Sequence, residues 1–252
     1  MIIPGLVSVT FRDQPAEWII EQCCAAKLKA IEWSENIHVF AGDETGAAAL
    51  YRQTKDAGLA VAAYGSYYRL GEQEEPVRVF TESLKSAAAL HAPVMRIWAG
   101  TKPSAEVSEA EFAGLAKEAA LVSELAGKYG IQVALEWHRN TLTDTNESAM
   151  KLLAAAAHPN LYCLWQPTVA LTVPERLEGL ALLGDRLLNL HIYYWPGGVK
   201  RPLAEGLSEW KQYLQAVDKD AIRYGLIEFV MDGTGEQFLD DAAALCRLLE
   251  NE

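Results

Sequence analysis

A chain of 252 residues, 50% hydrophobic and 22% charged, is long enough for one full core and has the balance of an ordinary globular domain. Its net charge of −12 repels phosphate polyanions. Nucleic acid and anionic membrane surfaces are therefore poor partners, and a small neutral or polar molecule suits the chain better.

The first residues, Met1 to Asp13, carry no basic region ahead of a short apolar run, so they read as a first strand at 3–9 and not as a signal peptide. Further β-branched or apolar runs follow at 30–33, 60–64, 94–98, 132–136, 162–165, 187–192 and 224–229. The intervening segments have helical spacing. Trp18, Ile19, Ile20, Cys23 and Cys24 give an apolar face after the Asp13–Pro15 start signal. Phe80, Leu84, Ala87, Ala88 and His91 recur on one face, as do Leu115, Ala119, Val122, Leu125 and Ala126 before Gly130. Phe238, Ala242, Leu245 and Leu249 mark the last helix.

Parallel strands joined by such crossovers bury both faces. Eight βα units in this length favour an α/β fold of the (β/α)8 TIM barrel type over an open sheet. The glycine-rich phosphate-binding turns that would support a doubly wound sheet are absent. No linker or charge block divides the chain, so residues 1–252 are expected to form a single barrel domain. No apolar segment approaches the ~20 residues that span a bilayer. The cysteines (Cys23, Cys24, Cys163, Cys246) have neither zinc-site nor disulfide spacing, and a reducing, cytoplasmic location is expected.

In a barrel, function gathers at the C-terminal ends of the strands. Strand two ends in Glu32-Trp33, strand four in Arg96-Ile97-Trp98, strand five in Glu136-Trp137-His138-Arg139 and strand six in Trp165-Gln166. Strand seven carries His191, then Tyr193-Tyr194-Trp195, and strand eight carries Glu228. Glu136, Gln166, His191 and Glu228 thus come from four consecutive strands and should converge at the mouth. Carboxylate oxygens with an imidazole nitrogen make a ligand set for a divalent metal such as Mn²⁺, Mg²⁺, Co²⁺ or Zn²⁺; glutamine offers only a neutral carbonyl oxygen. Any one of these residues is more often an ion pair, a cap or a barrel hydrogen bond. The joint pattern carries the reading, because several ionisable groups at one mouth are costly without a task.

Trp33, Trp98 and Trp165 are candidate walls for stacking on the C–H faces of a sugar, with plain packing as the alternative; Tyr64, Tyr67 and Tyr68 after strand three could extend that wall. His138 and Arg139 are candidates for substrate contact. The loop Gly197-Gly198-Val199-Lys200-Arg201-Pro202 is flexible and basic in an acidic chain, suited either to clamping a substrate oxygen or to simple solvation. No serine-elbow, HExxH or CxxC motif supports a hydrolase or a redox site.

The Ala134-Leu135-Glu136-Trp137-His138 run, the His191 strand, the Arg201-Pro202-Leu203-Ala204-Glu205-Gly206 segment and the Glu228 strand together resemble the xylose-isomerase-like TIM barrels, across the whole chain in element order. That superfamily includes ketose 3-epimerases, hydroxypyruvate isomerase and endonuclease IV. The resemblance implies a Glu, Asp, His, Glu metal set at the ends of strands five to eight, here Glu136, Gln166, His191 and Glu228, with the two glutamates also serving as the acid/base pair. It also implies a substrate contact at Arg201. This chain departs from the pattern in having Gln166 for the aspartate, Val169 for a following histidine, and Asn189 and Tyr194 for the first histidine and the aspartate of a His-x-His-x-x-Asp strand.

The expected activity is a metal-dependent isomerase or epimerase acting on a small carbohydrate, through proton abstraction beside a carbonyl. The alternatives are a β-eliminating lyase on 3-keto-glycosides using the same site, and a non-catalytic sugar-binding barrel. Pairing into a homo-oligomer stays open.

Overall fold

A computed structural model describes residues 1–218 and 220–250. Eight parallel strands close on themselves in chain order: β1 (Ile2–Val7), β2 (Ala30–Ser34), β3 (Ala60–Arg69), β4 (Val94–Trp98), β5 (Gln132–Glu136), β6 (Leu161–Trp165), β7 (Leu187–Ile192) and β8 (Arg223–Ile227). The ring is sealed by β8 against β1, where Ile2 pairs with Arg223 and Gly5 with Leu226. Each strand is followed by a helix: α1 (Ala16–Ala25), α2 (Glu44–Asp56), α3 (Pro76–Ala89), α4 (Glu109–Gly127), α5 (Asn146–Ala156), α6 (Val173–Leu183), α7 (Leu207–Ala216) and α8 (Gly235–Glu250). This is the expected (β/α)8 barrel.

The helices begin where the sequence supplies caps. Ser108 and Glu111 form a reciprocal capping box at α4, Asp43 accepts from Gly46 N at α2, and Thr145 accepts from Ser148 N at α5. Their apolar faces pack against the outer side of the barrel wall.

Alternation along the strands sorts side chains into two cores. Ile31, Trp33, Met95, Ile97, Val133, Leu135, Cys163, Trp165, Leu190 and Ile192 point outward and join the large core between wall and helices. Ala30, Ala62, Ala63, Val94, Ala134, Leu164 and Leu226 belong to two small clusters, apart from that core, that fill the barrel interior. One step further toward the C-terminal end, in phase with those interior residues, come Glu32, Arg96, Glu136, Gln166, His191 and Glu228. The barrel floor is thus small and apolar, and its upper layer is polar.

The strand ends differ from expectation in three places. β1 stops at Val7 because Ser8–Phe11 turns into a 3-10 helix, tied to β2 by Ser34 N donating to Ser8 Oγ at 2.9 Å and Val9 N to Ser34 Oγ at 3.1 Å. β3 runs on to Arg69 and shifts register against β4 between Gly65 and Arg69. β8 gives way after Ile227: Glu228 N still bonds Ile192 O at 3.0 Å, but Phe229 adopts a left-handed φ of 57°. Among the described residues no helix is long and apolar enough to cross a membrane.

Candidate active site

The polar layer is a connected chain of charges running across the barrel. Glu228, at the end of β8, meets His191 Nδ1 of β7 at 3.3 Å. His191 Nε2 bonds Glu32 Oε2 of β2 at 3.2 Å. Glu32 Oε1 lies 3.5 Å from Arg96 Nε of β4, and the same Nε lies 3.3 Å from Glu136 Oε2 of β5. Glu136 is the most tightly held carboxylate: Trp98 Nε1 donates to its Oε2 at 2.6 Å and Gln166 Nε2 to its Oε1 at 2.9 Å. Gly65 makes this crowding feasible. A Cβ there would come within 2.7 Å of Glu32 Oε1 and 2.9 Å of Arg96 Nη2.

Burial and partners set the protonation states. Burial alone would raise the Glu32 pKa, but His191 and Arg96 outweigh it and hold the carboxyl below its ordinary range. Burial works against a charged His191, yet the flanking Glu228 and Glu32 carboxylates raise its pKa to about 10. Arg96 is likewise desolvated and likewise held charged, by Glu136, Glu32 and Glu228. The Nδ1–Oε2 approach of His191 to Glu228 is short but not aligned as a hydrogen bond, so Nδ1 stays buried with no hydrogen-bond partner.

A cavity of about 430 Å³ opens above this layer, lined among others by Arg12, Tyr67, Trp98, His138, Arg139, Tyr193, Trp195 and Phe229. Of the residues singled out from sequence, Glu136, Glu228, Gln166, His138, Arg139 and Trp98 line it, and His191 lies in the charge chain beneath. Trp33, Trp165 and Arg201 do not reach it. Trp33 and Trp165 are one strand position out of phase with the interior: Trp33 Nε1 bonds Thr54 Oγ1 of α2 at 3.1 Å, and Trp165 packs against Trp210 and Tyr213 of α7. The aromatic side chains that line the cavity are Tyr67, Trp98, Tyr193, Trp195 and Phe229. Arg201 is half-exposed and paired with Glu205 at 3.1 Å, outside the cavity. Of the three tyrosines on β3, Tyr67 alone lines it, while Tyr64 and Tyr68 face the helices.

Gln166 is tied to the end of β5 and the residue after it. Two acceptors, Glu136 Oε1 and Trp137 O at 2.8 Å, fix its amide nitrogen toward the site. Gln166 thus meets Glu136 through its N–H, and both of its N–H groups have acceptors. Two residues absent from the sequence-based set prove central, Glu32 and Arg96. Their signal was their place at strand ends, in phase with Glu136.

A model of the xylose isomerase-like TIM barrel family matches residues 20–227. The chain belongs to that family. Among solved structures, the xylose isomerase-like fold is shared with the probable 3-DHS dehydratase of Bacillus anthracis (TM-score 0.82, 19% identity, covering 98% of this chain and 99% of that one). It is shared too with a D-psicose 3-epimerase of Clostridium cellulolyticum H10 (TM-score 0.72, 14% identity, covering 99% of each chain). A 3-dehydroshikimate dehydratase of Bacillus anthracis is 40% identical over 67 residues, which is 27% of this chain. The match spans 24% of that relative's length.

Ligand atoms of Glu136, His191 and Glu228 lie within 4.8 Å of one another, a grouping able to hold a metal ion. The orientation of His191 fits such an ion, which would take the place of the Nδ1 proton that the flanking carboxylates retain. Glu32 engages Nε2 and leaves the unpartnered Nδ1 on the side of Glu228, the carboxylate–histidine arrangement that orients metal-ligating imidazoles.

Proposed function

We propose that this protein is an isomerase or epimerase of a small polyhydroxylated ketone or aldehyde, acting by removal of a proton beside the carbonyl. The observation that carries this reading is the asymmetry of the two cavity carboxylates. Both oxygens of Glu136 accept hydrogen bonds, from Trp98 and Gln166. Glu228 lines the same cavity and, among the described residues, accepts no well-aligned hydrogen bond. Its lone pair is the one free to take a substrate proton.

The chain's own residues then have distinct tasks. Trp98, Trp195, Tyr193 and Phe229 wall the cavity and stack against the C–H face of the substrate while excluding water. Glu228 takes the proton from the carbon next to the carbonyl, and the electron pair moves onto the carbonyl oxygen. A divalent ion held by Glu136, His191 Nδ1 and Glu228 supplies, when bound, positive charge beside the substrate oxygens. Return of the proton to the neighbouring carbon by Glu228 completes an isomerisation. An epimerisation needs Glu136 to enter the cycle protonated: it delivers that proton to the opposite face while Glu228 keeps the one it removed.

A second reading shares the first step and ends in elimination. The electron pair left on carbon expels a β-hydroxyl, whose C–O bond breaks and which leaves as water with a proton from the acid partner. Two observations favour it. The local 40% identity is to a dehydratase. The cavity rim also carries Arg12 and Arg139, paired with no carboxylate among the described residues, and Lys200 rests on the faces of Trp195 and Phe229. Unpaired cations at the rim of an acidic protein suit a substrate with an anionic group.

Proton removal is tested by incubating the protein in D2O with a panel of ketoses, their phosphates and carboxylated cyclic ketones. Deuterium incorporation beside the carbonyl is followed by NMR, and loss of water by absorbance of the conjugated product. Glu228→Gln should lower the rate by about 10²–10⁴ with an unchanged circular dichroism spectrum. Exchange at wild-type rate in that variant would remove Glu228 from the chemistry. Binding without exchange across the panel would leave a sugar-binding barrel.

A further inference from the structure

Arg96 sits in the middle of the charge chain and has more in common with a bound ion than with a surface arginine. Its side chain is 3% exposed and its Nε faces Glu136 at 3.3 Å on one side and Glu32 at 3.5 Å on the other. It is anchored by Nη1 donating to Ser66 O at 2.9 Å and by its guanidinium lying 4.8 Å from the centre of the Trp98 ring. Nε itself makes no aligned hydrogen bond, and neither does Glu32 Oε1 opposite it. The contact is therefore one of charge, held in a space that a glycine at 65 leaves open.

We propose that Arg96 is the resident counter-cation of this site: it holds Glu136 and Glu32 together before any ion arrives, and it keeps the affinity for a divalent cation low. The inference rests on the reading that Glu136, His191 and Glu228 accept such an ion. Without Arg96 the three carboxylates Glu32, Glu136 and Glu228 would face one another with only His191 between them. A guanidinium cannot relieve itself by losing a proton, so its charge is permanent. An entering ion therefore meets a fixed positive charge directly behind one of its ligands, in surroundings that screen weakly. It also meets a Glu136 whose oxygens already accept from Trp98 and Gln166. A purely structural arginine, neutralising Glu32 for folding, would leave ion affinity unchanged or weaker on removal. A resident counter-cation predicts the opposite sign.

The test is calorimetric titration of Mn²⁺ into chelator-treated wild type, Arg96→Met and Arg96→Lys, with Glu136→Ala/Glu228→Ala as blank. The Kd of Arg96→Met should fall by about tenfold or more, since a unit charge opposing a divalent ion a few ångströms away is worth at least that. Arg96→Lys, which keeps the charge, should stay close to wild type. Arg96→Met that folds only when Mn²⁺ is supplied would be the same exchange of one cation for another. Failure to fold even with saturating Mn²⁺, or a Kd equal to or weaker than wild type, overturns the proposal. If neither wild type nor a folded Arg96→Met takes up Mn²⁺, the ion reading itself falls, along with this inference.

Discussion

Gly65 is the residue on which the site's geometry turns, although it does no chemistry. Its missing Cβ is the space in which Glu32 and Arg96 approach. Gly65→Ala forces one of two fully buried charged groups to shift, and neither can reach water. Overpacking of this kind costs about 1–3 kcal/mol, and here it also slackens the anchoring of Glu136. The variant should unfold at a lower denaturant midpoint and lose turnover without losing its barrel circular dichroism; wild-type stability would mean that the pair moves aside freely. At this scale the sequence was legible only in part. Glu136, Gln166, His191 and Glu228 could be aligned as strand ends, but a lone Glu32 or Arg96 looks like any ion pair until the barrel closes and β2, β4 and β7 face one another. Trp33 and Trp165 misled for the same reason: being at a strand end says nothing about which face a side chain takes, and each is one residue out of phase with the polar layer.

Among the elements, α4 shows how local sequence fixes a boundary. Ser108 and Glu111 bond reciprocally, Lys102 pairs with Glu111 at 2.7 Å, and the pKa of Glu111 is lowered to about 2 by Lys102 first and Ser108 second. A depressed carboxylate contributes stability above its unfolded value and loses it as pH falls through the folded one. The protection factors of the amides in the first turn of α4, which correct exchange for its intrinsic pH dependence, should therefore hold steady above about pH 4.5 and fall as pH drops toward about 2. Ser108→Ala should cost about 1 kcal/mol and speed exchange of Glu111 N at all pH values. Exchange insensitive to both changes would mean that packing alone sets this boundary. Such caps, with the apolar periodicity between them, are why helices and strands could be located from sequence. The ends that escaped prediction are those decided by distant partners, as at Val7, where Ser34 of the neighbouring strand draws the chain into a 3-10 turn.

For the whole molecule, closure is what couples the site to stability. The charge chain takes residues from β2, β4, β5, β7 and β8, and Gln166 adds the loop after β6. Its residues are spread around most of the ring, from Glu32 to Glu228. The proposed ligands Glu136, His191 and Glu228 meet only once β5, β7 and β8 are folded together, so an ion held there would bind the folded barrel and not the unfolded chain, and its binding free energy would add to folding free energy. With free ion at about a hundredfold over Kd the gain is about 2.7 kcal/mol. At roughly 2–4 °C per kcal/mol for a chain of this size, Tm should rise by roughly 5–10 °C. Chelator should reverse the rise, and Glu136→Ala/Glu228→Ala should abolish it. The measurement is differential scanning calorimetry of the same preparation with Mn²⁺ and with chelator. One transition that moves as a unit is expected, because a closed sheet has no edge strand from which to open piecemeal. A transition that splits, with one part insensitive to the ion, would place the ligands in a region that unfolds independently of the rest of the barrel.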